Sequence, residues 1–193
     1  MATVSTRPGH GPRLARSKAR PSPPLRFDPI AEAERQWRLR WTRAADEMAA
    51  AMAITRAHQI ILGAVDSAIS PYELTFARYE TLVLLYFSRK GRLPLGKMGV
   101  RLQVHPTSVT NSVDRLEAQG LIRRLAHPTD RRTTLAEITP KGRRVVQRAT
   151  ARLTSTGFAM SVLSLQDLRL LKRVLRKLRA LAGDFEEQGS AGS

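Results

Sequence analysis

Two short helix patterns followed by a hairpin pattern, all within residues 95–139, restrict the fold of this chain more than any other feature. The second helix is predicted over residues 106–119, PTSVTNSVDRLEAQ. Its apolar stripe, which must pack inward, consists of Val109, Val113 and Leu116. Pro106 suits the first turn, because the N–H that proline lacks would have no partner there, and Gly120 is typical of a helix end. The pattern therefore predicts a helix with one buried side and one free side.

The segments on either side complete a recognisable unit. Residues 95–102 have apolar side chains at helical spacing, and residues 103–105 form a short turn before the second helix, which is the spacing of a helix-turn-helix. Residues 121–126 and 133–138 are β-prone and enclose the loop 127–132, which the turn rules identify as a hairpin. The chain is therefore predicted to be mainly α, with a winged helix-turn-helix whose β wing has two strands.

The free side of the second helix is polar. It consists of Thr107, Ser108, Thr110, Asn111 and Arg115. These side chains donate and accept hydrogen bonds at base edges and phosphates in the major groove of DNA. The alternative is a polar face that is only solvated, as most such faces are. The hairpin that follows the second helix favours contact with DNA over a face that is only solvated.

The tip of the hairpin, Asp130-Arg131-Arg132, is unusually basic for a loop. An Arg-Arg pair on a protein surface is commonly only solvated and binds no partner. Placed directly after a helix-turn-helix, however, Arg131 and Arg132 suit a neighbouring minor groove, whose narrow and negative floor attracts arginine. The tip is therefore a second candidate contact to DNA.

Three segments of the chain resemble the MarR family of winged-helix transcriptional regulators. They are LTFARYETLVLLY (74–86), VHPTSVTNSVDRLEAQGLIRR (104–124) and HPTDRRTTLAEITPKGRR (127–144), in family order and at family spacing. The resemblance extends over about residues 30–182. It implies a helical homodimer that binds a pseudo-palindromic operator. It also implies that the five polar residues of the second helix enter the major groove, that Asp130 orients the wing, and that Arg131 or Arg132 enters the minor groove. His127 departs from the family pattern, which often has Asp before the proline of the wing.

The same resemblance implies a small-molecule effector, commonly aromatic or carboxylate-bearing, bound between the dimer helices and the DNA-reading lobe. Side chains on the helices that would line such a cleft are Trp37, Trp41, His58, Arg78 and Tyr79. The alternative for the aromatic residues is core or dimer packing, and for Arg78 an ion pair with Glu73 or Glu80. The effector itself is unknown from the sequence.

Net charge limits the binding partners. The chain has 33 Lys and Arg against 16 Asp and Glu, a formal charge of +17. A polyanion is the direct implication, and a membrane surface is the rival. Because the chain lacks an uninterrupted run of 18 apolar residues and an apolar signal core, we expect a cytoplasmic, nucleoid-associated protein without a membrane partner. The absence of cysteine excludes disulfides and thiol-based sensing.

The sequence contains none of the common catalytic motifs that we considered. The chain has no His-Glu-x-x-His, Gly-rich phosphate loop or Gly-x-Ser-x-Gly motif, and its four histidines are scattered. We therefore expect no catalytic residues, no metal site and no cofactor, and we predict that the protein is not an enzyme.

The chain divides by composition into three parts. Residues 1–27 have six Arg or Lys and no Asp or Glu, and are predicted to be a disordered basic arm that either follows phosphates or is a solubilising tail. Residues 28–185 are predicted to form a single MarR-like domain, and residues 186–193 a flexible tail. Within the domain, the winged helix-turn-helix occupies about 75–139, and dimerisation helices occupy about 28–68 and 140–183.

Helix signals outside the central unit support this division. Asp28-Pro29 predicts the start of one long helix that ends at Ser70-Pro71, and the next helix, over 76–87, is predicted to bury Tyr79, Leu82, Val83, Tyr86 and Phe87. The last helix begins with a capping box at Ser164 and Asp167 and is apolar over more than one stripe. A second copy of the chain would cover the excess, although the helix could instead close its own subunit's core.

Together with the family resemblance, these patterns predict a homodimeric transcriptional regulator of nearby genes that binds double-stranded DNA at a specific sequence. A repressor is the predicted role, with an activator as the alternative, because that choice depends on where the operator lies relative to a promoter. The alternatives are an architectural, nucleoid-type protein that binds DNA by charge, and a winged-helix module that contacts protein. The hydroxyl and amide side chains of the second helix favour the first, because an electrostatic binder would have Lys and Arg there.

Overall fold

The computed structural model describes residues 25–130 and 132–186, which form a mainly helical chain with one small sheet. The elements in chain order are α1 (Pro29–Arg40), α2 (Ala45–Ile69), α3 (Phe76–Phe87), β1 (Arg92–Pro94), α4 (Leu95–Leu102), α5 (Pro106–Ala118), β2 (Ile122–Ala126), β3 (Thr134–Ile138), α6 (Pro140–Ser155) and α7 (Leu165–Leu181). The predicted fold class is confirmed. Most of the predicted basic arm, Arg131 and most of the predicted tail lie outside the described residues.

The sheet has three strands instead of the two predicted for the wing. The wing hairpin is β2 and β3, as expected, and β1 pairs antiparallel with the other edge of β3, so that the order is β1-β3-β2. Strand β1 has only three residues, and it ends in Pro94 directly before α4. A segment this short contains no alternation that would predict a strand.

The first compact unit of the chain extends to Ala53, and here the predicted single long helix is wrong. Helix α1 ends at Arg40, and Ala44 has a left-handed φ of 60° before α2 begins. The break is held locally, because the Trp37 indole N–H donates to the Arg43 carbonyl at 2.9 Å and the Trp37 and Trp41 rings lie 4.6 Å apart. Helical spacing of apolar residues persists across such a bend, so the spacing alone did not reveal it.

The second compact unit begins at Ile54 and contains the main hydrophobic core. The predicted stripe of α5 is confirmed, since Val109, Val113 and Leu116 are all buried. They pack with side chains of α3, α4, the sheet and α6, among them Tyr79, Leu82, Leu85, Met98, Ile122, Ala136, Val146 and Leu153.

The predicted core positions of α3 are only partly correct. Tyr79 and Leu82 are buried, Val83 and Tyr86 are half-buried, and Phe87 is 76% exposed. Leu85, not Phe87, occupies the inner position of the last turn. The Tyr86 hydroxyl accepts a hydrogen bond from the Gln147 amide at 3.0 Å, so that this ring lies at the edge of the core.

Helix α7 begins as predicted and leaves an apolar face uncovered. Ser164 and Asp167 form the expected capping box. None of the residues of α7 is buried in the single chain. The α7 face, which we define as its exposed apolar stripe, consists of Leu170, Val174, Leu178 and Leu181. A helix that only closed its own subunit's core would not expose this stripe.

One helical stretch in the described part of the chain, Ala45–Tyr72, is long and apolar enough to cross a membrane by length and composition. Charged and polar residues within it, among them Arg56, His58 and Gln59, interrupt the apolar run, which is why counting consecutive apolar residues did not select it. Core helices of proteins outside membranes pass the same test of length and composition, so one such helix is weak evidence for a membrane span.

Candidate nucleic-acid interface

Helix α5 is capped by a histidine that was not predicted for this role. His105 is the N-cap residue, and its Nδ1 accepts a hydrogen bond from the backbone N–H of Thr107 at 3.2 Å. The imidazole takes the place of the hydroxyl or carboxylate that usually caps a helix. It fixes the first turn of α5, where the polar face begins.

All five predicted readout residues lie on the exposed side of α5, away from the buried stripe. They are Thr107, Ser108, Thr110, Asn111 and Arg115. The Thr110 hydroxyl donates to the Pro106 carbonyl at 3.2 Å within the helix, so this side chain is oriented by its own backbone. The Asn111 side chain combines amide donors with a carbonyl acceptor, which is the pair of groups that matches the edge of adenine.

Asp130 organises the described part of the wing tip. Its carboxylate accepts hydrogen bonds from the Arg132 backbone N–H at 3.0 Å and from the Thr133 hydroxyl at 2.6 Å. These two donors hold the pKa of Asp130 below its usual value. The contacts fit the predicted orienting role of Asp130, and Arg132 is exposed beside it. Arg131, the other predicted groove residue, is not among the described residues.

The departure from the family pattern at the wing base is accommodated by the imidazole itself. His127 Nδ1 accepts from the Thr129 backbone N–H at 3.4 Å, and the His127 backbone N–H donates to the Thr133 carbonyl at 3.1 Å. His127 and Arg132 also line an open concavity of about 670 Å³ together with Lys97 of α4. Lys97 was missed because nothing in the sequence links the first turn of α4 to the wing.

A further contact that sequence reasoning missed joins α5 to the wing. The Arg124 guanidinium of β2 donates to Glu117 and to Asp114 of α5, each at 2.5 Å. The Arg124 backbone N–H also donates to the Glu117 carboxylate at 2.9 Å. We call these three residues the Arg124 clamp. It fixes α5 against the strand that leads into the wing, and it neutralises carboxylates near the surface predicted to meet DNA.

Replacing Arg124 by Ala should lower the free energy of unfolding by about 1.5 kcal/mol, at the low end for charged hydrogen bonds because all three side chains are partly exposed. DNA affinity should fall as well, since two carboxylates of α5 lose their counter-charge. Arg123→Ala is the matched control, because Arg123 pairs with Glu137 inside the sheet and not with α5. Equal losses of DNA affinity in the two variants would contradict a positioning role for Arg124.

The effector candidates are not brought together as a group by any described contact. Arg78 pairs with neither Glu73 nor Glu80, and its Nε donates to the Thr75 hydroxyl at 3.2 Å. The Tyr79 hydroxyl is hydrogen bonded to Thr150 at 3.0 Å. Of the remaining candidates, His58 is exposed on α2, and Trp37 and Trp41 contact each other in the first unit. The effector site therefore stays a prediction.

The helix-turn-helix, its polar second helix and the adjoining wing define a winged-helix protein, and comparisons with known proteins agree. The family model for the MarR family matches residues 74–134. Sco5413, a MarR family transcriptional regulator from Streptomyces coelicolor, has a crystal structure that is 51% identical, with a TM-score of 0.68 over 74% of this chain and 99% of that one.

Two other relatives are more distant. The transcriptional regulator MhqR of Bacillus subtilis is 38% identical over 46% of this chain and 60% of its own length. The structure of CouR from Rhodococcus jostii RHA1, bound to p-coumaroyl-CoA, is 28% identical with a TM-score of 0.57, over 65% of this chain and 87% of that one. The chain belongs to the MarR family of transcriptional regulators, as its sequence resemblance indicated, and its relatives are regulators and not enzymes.

Proposed function

We propose that this regulator is a homodimer that binds a pseudo-palindromic DNA operator and represses the genes beside it. The observation that carries the proposal is the exposed face of α5, where four hydroxyl or amide side chains and a single arginine stand opposite a fully buried stripe. Helix α5 would enter the major groove, and the wing tip would reach the adjacent minor groove.

The charge distribution supports DNA as the partner. Outside residues 1–27, the chain still has 27 basic and 16 acidic residues, so its positive charge belongs to the folded part as well. Positive charge provides phosphate contacts and affinity, whereas the few hydroxyl and amide groups of α5 provide discrimination between bases. We further propose that the basic arm adds phosphate contacts beside the operator.

Two-fold symmetry supplies the second half of the site. One α5 per chain reads a few base pairs, and a dimer presents two such helices to successive major grooves about one turn apart. The uncovered α7 face fits a second copy of the same chain, because an apolar stripe pairs favourably with itself around a two-fold axis.

A small-molecule effector is the regulatory part of the proposal. CouR is bound to p-coumaroyl-CoA, an anionic ligand with an aromatic acyl group. An aromatic or carboxylate-bearing ligand of this protein would bind next to the dimer helices and release the operator. The excess of cationic side chains favours an anionic ligand.

Thr107→Ala and Asn111→Ala test base readout. Each removes groups suited to base edges, so each should cost about 1–3 kcal/mol on an operator selected from random DNA, and little on a scrambled duplex. Thr154→Ala removes an exposed hydroxyl from α6 and serves as the matched control for Thr107→Ala. Fluorescence anisotropy on both duplexes provides the measurement.

The two alternative functions, an architectural DNA-binding protein and a module that contacts protein, predict different results in the same experiment. An architectural protein that binds by charge would show the same affinity for both duplexes in the parent protein and in the variants. A module that contacts protein would bind neither duplex at physiological salt. Repression itself is tested by transcription in vitro from a promoter that overlaps the selected operator, where added protein should lower transcript yield.

A further inference from the structure

An open concavity of about 410 Å³ lies where the start of α3 meets the exposed side of α5. Its lining consists of Thr75, Arg78, Asn111, Ser112 and Arg115. Two guanidinium groups therefore share one small depression with hydroxyl and amide groups. None of the five is acidic.

Neither arginine has a counter-charge in the described part of the chain. Arg78 and Arg115 have no carboxylate oxygen within 4.0 Å among residues 25–130 and 132–186, whereas the neighbouring Arg124 contacts two carboxylates. The hydrogen bond from Arg78 Nε to Thr75 holds the base of the guanidinium and leaves its two terminal nitrogens available. Two like charges that line one depression are stabilised by an anion between them.

The depression is built from side chains and does not depend on the free end of a helix. Helix α3 begins at Phe76, and the backbone N–H of Phe76 already donates to the Asp66 carboxylate at 2.6 Å. An anion in the depression would instead receive charge-assisted hydrogen bonds from the two guanidinium groups, with the Ser112 hydroxyl as a neutral donor. Arginine forks match the oxygens of a phosphate in this way.

We propose that Arg78 and Arg115 jointly bind one backbone phosphate of the operator, at the edge of the major groove that α5 enters. The inference rests on the proposed function and assigns Arg115 to the backbone instead of to a base. A phosphate held between α3 and α5 sets the position of α5 along the groove, while the other polar residues of α5 read bases.

The dependence of DNA affinity on salt tests the shared phosphate. The full-length protein and its variants Arg78→Ala, Arg115→Ala and the double variant are titrated with the selected operator and with a scrambled duplex at several salt concentrations. Each single variant should make the fall of log affinity with log salt shallower by about 0.9 per subunit, by equal amounts on both duplexes, because the proposal requires both guanidinium groups to hold the phosphate. The double variant should lower the slope no further, because both side chains hold the same phosphate.

Arg148→Ala is the matched control, since it removes the same charge from an exposed position of α6. It should leave the slope unchanged. Thermal unfolding of every variant checks that the fold is retained. An unchanged slope in Arg78→Ala overturns the proposal, and so does a double variant whose loss is the sum of the two single losses, because two separate phosphates would then be bound.

A second arm separates DNA phosphate from a small free anion. The ¹⁵N-labelled arginine side chains of the free protein are titrated with inorganic phosphate at constant ionic strength. Weak, unsaturated shifts of the Arg78 and Arg115 signals are expected. Saturation of these signals at millimolar phosphate, combined with an unchanged salt slope in Arg78→Ala, would identify a small-anion site and overturn the proposal. If the parent protein does not distinguish operator from scrambled DNA, the proposed function fails, while the slopes on either duplex still test the phosphate site.

Discussion

Replacing Leu178 by Glu should convert the proposed dimer into folded monomers and lower operator affinity by at least about 100-fold, because each monomer would retain only half of the specific contacts. Leu178 is 53% exposed in the single chain, at the centre of the α7 face. The new carboxylate would therefore be solvated in the monomer but desolvated and unpaired in the dimer, where a buried unpaired charge costs several kcal/mol. Sedimentation velocity measures the oligomeric state, and anisotropy measures the affinity.

Lys177→Glu is the matched control for this experiment. It introduces the same side chain one position earlier, at an exposed polar site, with an even larger change in charge. We expect this variant to remain dimeric and to lose affinity only through its charge. A Leu178→Glu protein that sediments as a dimer would show that the α7 face is not the subunit contact.

The central unit was predictable because its signals are local. The stripe of α5, Pro106 at its start and Gly120 after its end are all encoded within one short segment, and the structure confirms each of them. Strand β1 was not predictable in the same way. Its three residues become a strand only because β3 offers a free edge, and the sequence around β1 does not contain that information.

Two wrong predictions have a different origin. The spacing of apolar residues shows neither where a helix bends nor which side chain at its end points into the core. The apolar spacing through Trp37 and Trp41 continues across a bend at Ala44, so one predicted helix became two. At the end of α3, the aromatic Phe87 looked like a core residue, but helix geometry turns it outward and Leu85 inward. Hydrophobicity alone overestimated burial at that helix end.

The candidate site was predicted only where its residues are neighbours in sequence. The polar face of α5 lies as expected, but the partners that surround it come from other elements: Arg78 from α3, Lys97 from α4 and Arg124 from β2. From the sequence, Arg78 was a candidate for an effector cleft. In the structure it lies beside Arg115, a proximity that depends on how α3 packs against α5.

Gly142→Ala should destabilise the fold by about 3 kcal/mol, the upper end of the cost of overpacking, because the added methyl group would meet backbone. A Cβ at Gly142 would lie 2.1 Å from the Leu121 carbonyl oxygen and 2.9 Å from Ile138 Cγ1. The same corner is held by Thr139, whose hydroxyl donates to the Gly120 carbonyl at 2.8 Å. The Leu121 and Gly120 carbonyl groups cannot move without disturbing the connection between α5 and the wing.

For a chain of this size, the loss corresponds to a melting temperature lower by about 6–12 °C. Differential scanning calorimetry at one fixed protein concentration measures it, since a dimer's melting point depends on concentration. Gly63→Ala is the matched control. A Cβ at Gly63 meets no atom within 4 Å, and alanine favours a helix interior, so this variant should be slightly more stable than the parent.

Operator affinity should also fall in Gly142→Ala, because displacing Leu121 shifts α5 relative to the wing. A Gly142→Ala protein with parental melting temperature and affinity would show that α6 does not brace the DNA-reading unit at this corner.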